Sequence, residues 1–206
     1  MFDISPLNPE QLAAVTHRDG PLLVFAGAGS GKTRVITYRI ANLILNNHIE
    51  PDAILAVTFT NKAAEEMKSR VENLLGGPSR LTVSTFHSFG LKLLRFYGFE
   101  LGIKSNFVIY DEDDQEQLLK KIVKQFNLDI KEFKPTSYQN KFNRYKDNLF
   151  TREYLENNQN LLTLPSELEI LEEYERQKRA NNALDFADLI TGAVELLKLK
   201  SETADR

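Results

Sequence analysis

Cysteine is absent from the 206 residues, which excludes disulfides, thiolate zinc sites and cysteine nucleophiles and fits a reducing compartment. Long apolar runs are absent too: no stretch approaches the roughly 20 residues needed to cross a bilayer. The opening Met1-Phe2-Asp3-Ile4-Ser5-Pro6 lacks the basic and apolar regions of a secretory signal, so a cytoplasmic location without membrane contact is the expectation. A basic excess is also lacking. The formal net charge of -3 argues against a surface that coats nucleic acid wholesale, so contact with DNA has to be local and geometrical. Internal repeats and low-complexity tracts are not apparent. What is present is a 42% share of hydrophobic residues, enough for a sizeable core in one domain or two.

The run Ala26-Gly27-Ala28-Gly29-Ser30-Gly31-Lys32-Thr33 carries the most chemistry. Leu22-Leu23-Val24-Phe25 before it reads as a buried strand, and Val35, Ile36, Ile40, Leu43 and Ile44 after it fall at helical spacing. Glycines at 27, 29 and 31 let successive N–H groups face one concavity at a helix N-terminus, where a polyphosphate is held. Lys32 supplies a charge for the β and γ phosphates, and the Thr33 hydroxyl a ligand for Mg²⁺. Ala26 stands where this pattern usually has glycine. Lys32 and Thr33 are the catalytic candidates, Thr33 the metal ligand, and residues 26 to 33 with Arg34 the ATP-binding set.

Strands and helices alternate through the first part. A helix starts at Asn8-Pro9-Glu10-Gln11, with Asn8 as N-cap, and further strands are expected at Ile54–Phe59 and Leu81–Thr85, followed by helices from Asn61 and from Phe86 to about Tyr97. This alternation predicts a parallel sheet covered on both faces. After Gly98 the texture changes. Apart from a brief Phe107-Val108-Ile109-Tyr110, helices are expected at about 111 to 126, 136 to 148, 151 to 157, 166 to 181 and 185 to 200, with Asn181-Asn182 marking a turn back to the sheet. The expected class is α/β: a P-loop parallel sheet flanked by helices, with an inserted all-helical subdomain.

Charge is uneven. Asp111-Glu112-Asp113-Asp114 suits the first turn of a helix, and no second ligand cluster accompanies it to make a metal site. Lys131, Lys134, Lys141, Arg144, Lys146 and Arg152 face only Glu132 and Asp147, and read equally as a solvated face or as a surface for duplex DNA.

Leu7-Asn8-Pro9-Glu10-Gln11, the glycine-rich loop, Thr58-Phe59-Thr60-Asn61-Lys62-Ala63-Ala64, Thr85-Phe86-His87-Ser88-Phe89 and Ala183-Leu184-Asp185-Phe186-Ala187-Asp188-Leu189 follow one another in order. With these motifs the chain resembles the N-terminal part of the UvrD/Rep/PcrA-type superfamily 1 DNA helicases over nearly its whole length. The resemblance implies that Gln11 reads the adenine edge through its amide, beside its reading as a capping partner of Asn8. It implies that a base of single-stranded DNA stacks on Phe59, whose bland alternative is a core phenylalanine, and that Thr60 and Asn61 hold a DNA phosphate, where simple N-capping is the alternative. Thr85, Phe86 and His87 then line the same DNA track, His87 as a contact and not a catalyst. Asp185 and Asp188 read equally as helix-start residues and stay outside the site.

The resemblance further implies ATP and Mg²⁺ as cofactors, 3′ to 5′ movement in DNA repair or replication, and single-stranded DNA, a duplex junction and repair or replication proteins as partners. The domain expectation is 1–97 for the start of the RecA-like domain (1A), 98–182 for a helical insertion (1B) and 183–206 for a return helix. The acidic strand motif and the arginines that hydrolysis needs are not visible, so the sequence reads as an N-terminal fragment with little or no ATPase activity of its own. A truncated, non-hydrolysing nucleotide- or DNA-binding module and the motor part of a recombination helicase-nuclease are the alternatives; a small-molecule P-loop kinase would leave Gln11 and Phe59 unexplained.

Overall fold

The structure, a computed structural model, describes residues 2–204, with side chains described as far as Leu199. The chain folds as two compact units, the first ending at Phe86 and the second beginning at His87.

In the first unit, α1 (Pro9–Thr16) starts on a reciprocal cap. The Asn8 side chain accepts from the Gln11 N–H at 2.8 Å, and the Gln11 side chain accepts from the Asn8 N–H at 3.2 Å. The next helix, α2 (Lys32–Leu45), leaves Gly31, whose φ of 86° lies in the left-handed region. Strand β1 (Leu55–Thr58) leads to α3 (Asn61–Leu75), which Thr60 caps by accepting from the Ala63 N–H and which Gly76 ends at φ 81°. Strand β2 (Thr82–Thr85) lies parallel to β1, with Ala56 opposite Val83 and Thr58 opposite Thr85. Ile40 from α2, Met67 and Val71 from α3, Ala56 and Leu81 form the buried core.

The strand expected at Leu22–Phe25 does not form. These residues have no regular secondary structure, and Phe25 is 90% exposed. An apolar run satisfies the pattern of a buried strand, but a ladder needs a neighbour, and among the described residues β1 pairs only with β2. The glycine-rich loop is therefore entered from an unpaired segment.

The second unit opens with α4 (Phe86–Tyr97), whose first residue closes the unit before it. Strand β3 (Val108–Tyr110) is followed by α5 (Glu112–Gln125), α6 (Pro135–Asp147), α7 (Arg152–Asn157) and α8 (Glu167–Ala180). The acidic block begins α5 as the sequence suggests: Asp111 and Asp114 cap each other reciprocally. Leu119, Ile122, Tyr138, Phe142, Leu155, Ile170 and Tyr174 fill the space between the helices.

Two features depart from a purely helical stretch. Asn182, at φ 48°, turns the chain into a short strand, β4 (Ala183–Asp185), where the sequence places only a turn at 181–182 and a helix from about 185. β4 lies parallel to β3, with Tyr110 opposite Asp185, before α9 (Phe186–Ala204) begins. The helices α5 to α8 thus leave from one strand and return on its neighbour.

Candidate nucleotide site and nucleic-acid face

Of the sequence-predicted nucleotide residues, Gln11, Ala26, Gly27, Ser30 and Lys32 meet in the first unit around a pocket of about 690 Å³, whereas Ala28, Gly29, Gly31, Thr33 and Arg34 are not among its lining residues. Asn8 and Gln11 from the start of α1, Ala26, Gly27, Ser30 and Lys32 from the loop, and Val35 and Ile36 from α2 contribute to its wall. The Gln11 Nε2 donates to the Ser30 carbonyl at 3.1 Å, so the cap of α1 and the phosphate loop share one side chain. Lys32 folds back onto its own loop: its Nζ donates to the Gly27 carbonyl at 2.7 Å and to Ala26 at 3.1 Å. The Ser30 hydroxyl also donates to Gly27, at 2.8 Å. These acceptors are neutral carbonyls, so an anionic phosphate offers the ammonium a stronger partner. Thr33 is exposed at the first turn of α2.

Arg34 points elsewhere, donating to the Pro6 carbonyl at 3.1 Å and lying over the Tyr38 ring. The sequence reading missed Arg39. Its Nη1 donates to the carbonyls of Ala14 and His17 at 2.8 and 2.6 Å, which places a cation at the end of α1, a helix with no basic residue in its own last turn. An arginine on an amphipathic helix gives no sequence signal of such a task; only the fold shows which helix end it meets.

The DNA candidates of the first unit lie where the strands end. Phe59 is 99% exposed, so it is no core residue. Thr60 spends its hydroxyl on the start of α3, as the simple capping reading has it. Asn61 and Thr85 meet: the Thr85 hydroxyl donates to Asn61 Oδ1 at 3.4 Å, tying the end of β2 to the start of α3. Phe86 is exposed. In the second unit, exposed His87 makes an edge contact with Phe186, ring centroids 6.0 Å apart.

The basic stretch needs a correction. The Lys141 Nζ is 3.0 Å from both carboxylate oxygens of Glu167, whose side chain is 1% exposed and also receives the N–H groups of Thr163 and Leu164. Lys146, 13% exposed, lies 2.7 Å from Glu175, 2.6 Å from Asp185 and 2.7 Å from Asp188. Neither lysine belongs to a solvated or DNA-facing surface. Exposed Arg152 pairs with Glu156 and Glu172, and Lys131, Lys134 and Arg144 are exposed as well.

Asp185 and Asp188 act as the helix-start reading has it, each accepting from the other's N–H at the start of α9. They also join Glu175 around Lys146 and Lys178, the latter 1% exposed. Burial pushes the Asp185 carboxyl up, but the two ammonium groups outweigh it and hold it well below the usual carboxylate range. Burial wins at Asp188, whose carboxyl is raised. Three carboxylates around two lysines leave one negative charge in excess, and Asp188 is where a proton relieves it first.

The family model described as UvrD/REP helicase N-terminal domain matches residues 7–206. The chain is 41% identical over 203 residues to the ATP-dependent DNA helicase PcrA of Staphylococcus epidermidis, covering 98% of this chain and 28% of that protein. Against the PcrA of Bacillus subtilis strain 168 it is 44% identical over 194 residues, 94% of this chain and 26% of the relative. The chain therefore spans little more than a quarter of the relatives it matches. With the family model covering nearly its whole length, the chain belongs to the UvrD/REP helicase N-terminal domain family.

Proposed function

We propose that this chain is the nucleotide-binding and DNA-contacting N-terminal part of an ATP-dependent, 3′ to 5′ DNA helicase or translocase. The observation that carries the reading is the meeting of Gln11, Ser30 and Lys32 at one pocket, with the left-handed Gly31 between the last two. ATP enters there with its phosphates against the loop 26–33, Lys32 leaving the Ala26 and Gly27 carbonyls for the β and γ phosphates and Thr33 holding Mg²⁺. The spare N–H and lone pair of the Gln11 amide match the N7 acceptor and N6 donor of adenine. Arg34 joins them by leaving Pro6.

Single-stranded DNA runs past the strand ends, a base stacking on the ring of Phe59, a phosphate held by Thr60 and Asn61, and Thr85, Phe86 and His87 lining the same track. Residues 1–97 begin the RecA-like domain, 98–182 are its helical insertion, and 183–206 return from it. Duplex DNA ahead of the motor meets the insertion, though not through Lys141 or Lys146. The pathway is DNA repair or replication in the cytoplasm, with proteins of that machinery as partners. This chain alone turns over ATP slowly or not at all, because the acidic strand motif and the arginines that stabilise transition-state charge have no match in its sequence.

Calorimetric titration with ATP and Mg²⁺ tests the nucleotide half. A charged hydrogen bond is worth about 1.5–3 kcal/mol, so Lys32→Ala is expected to weaken binding roughly ten- to hundredfold. Equal affinity in the variant and the parent would place the nucleotide elsewhere.

A further inference from the structure

Gln11 does more in this fold than an adenine reader needs. Its Oε1 accepts from the Asn8 N–H and its Nε2 donates to the Ser30 carbonyl, which fastens the middle of the phosphate loop to the first turn of α1. The contact depends on Gly31. A Cβ there would lie 2.9 Å from the Gln11 Nε2, and the φ of 86° is one that side chains rarely adopt. The planarity of the peptide gives the contact a consequence: in a trans unit the carbonyl of one residue and the N–H of the next point in opposite directions. With the Ser30 carbonyl held by Gln11, the Gly31 N–H is turned the other way. That amide stands at the start of α2, where the first helical bond runs from the Val35 N–H back to the Gly31 carbonyl, so it has no acceptor within the helix.

We propose that Gln11 is a positioning residue for phosphate: by holding the Ser30 carbonyl it aims the Gly31 N–H at the polyphosphate, independently of whether a base is bound. The proposal rests on the nucleotide reading of this pocket and deepens it. The Gln11 amide then serves two ends of the ligand. One N–H orients the loop for the phosphates, and the remaining N–H and lone pair face the base. A phosphate chain without a base still benefits from the first task, and ATP benefits from both.

The discriminating probe is inorganic tripolyphosphate with Mg²⁺, which has no base to read, titrated beside ATP with Mg²⁺ into the full chain. Gln11→Ala is expected to weaken tripolyphosphate binding about fivefold, the worth of one ordinary hydrogen bond, and ATP binding by more. Gln11→Met, of similar length and helix propensity, gives the same result if the alanine variant folds poorly. Val15→Ala, which loosens the packing of α1 at a buried residue away from the pocket wall and leaves the Ser30 contact in place, keeps the parent's tripolyphosphate affinity, and melting curves show that each variant is folded.

Loss confined to ATP in the Gln11 variants would overturn the positioning role and leave the nucleotide reading standing. An equal loss in Val15→Ala would also overturn it, since the effect would then come from a loosened helix. Binding of neither ligand by the parent chain would sink the nucleotide reading and this proposal together.

Discussion

Replacing Lys178 with alanine is expected to destabilise the second unit by about 3–5 kcal/mol, the range for removing one partner of a buried ion pair. Lys178 is 1% exposed and its ammonium meets Glu175, Asp185 and Asp188. Without it, three carboxylates share Lys146 alone, and Asp185, itself fully buried, keeps a charge that solvent cannot reach. Urea unfolding followed by circular dichroism measures the loss. Its pH dependence separates charge from packing. The Asp185 carboxyl is depressed in the folded chain, so its contribution is present above the unfolded value of about 3.9 and is lost as pH falls through the lower folded value. Asp188, raised by burial, contributes with the opposite sign and takes up a proton first. The gap between parent and variant should therefore narrow in acid. A gap of constant size at every pH would assign the loss to packing.

The second large effect is steric. Gly90 in α4 packs so closely on α9 that an added Cβ would lie 2.2 Å from the Leu189 carbonyl oxygen, a backbone atom that cannot swing aside. Helix propensity favours alanine over glycine by about 1 kcal/mol, while overpacking a core costs about 1–3 kcal/mol and occasionally more. At this separation the clash wins, and Gly90→Ala is expected to lower stability by about 2 kcal/mol. Gly192 on the facing helix is the contrast. Its added Cβ would meet the Leu94 Cδ2 at 3.1 Å, the end of a flexible side chain, so Gly192→Ala stays near neutral. Thermal melts of the two variants side by side decide the matter. Equal melting temperatures would show that the two helices part easily at Gly90.

These two sites also show what the sequence made legible. Caps are local: Asn8, Thr60 and Asp111 each announce a helix within four residues, and the structure starts α1, α3 and α5 on them. Strands are not local. Leu22–Phe25 has the composition of a buried strand but pairs with no strand among the described residues, and Ala183–Asp185 is too short to show a period, yet it pairs with β3 from 75 residues away in the chain. Charge was misread for the same reason. Lys141 and Lys146 look like part of a basic face until the fold brings in Glu167, Asp185 and Asp188 from 26, 39 and 42 residues along the chain. At the site, the glycine-rich loop and Gln11 were readable because their chemistry lies in residue type and spacing. The exposure of Phe59, the Asn61–Thr85 contact and the Arg39 clamp on α1 needed the coordinates.

The proposed function requires that single-stranded DNA bind beside Phe59 in a way that the nucleotide governs. Fluorescence anisotropy of a short labelled single strand, with and without a non-hydrolysable ATP analogue and Mg²⁺, tests it on the parent chain and on Phe59→Ala. Stacking of a base on an aromatic ring is worth about 1–3 kcal/mol, so the analogue is expected to shift the parent's affinity and the variant to bind roughly five- to hundredfold more weakly. DNA binding that ignores both the analogue and the loss of the Phe59 ring would contradict it.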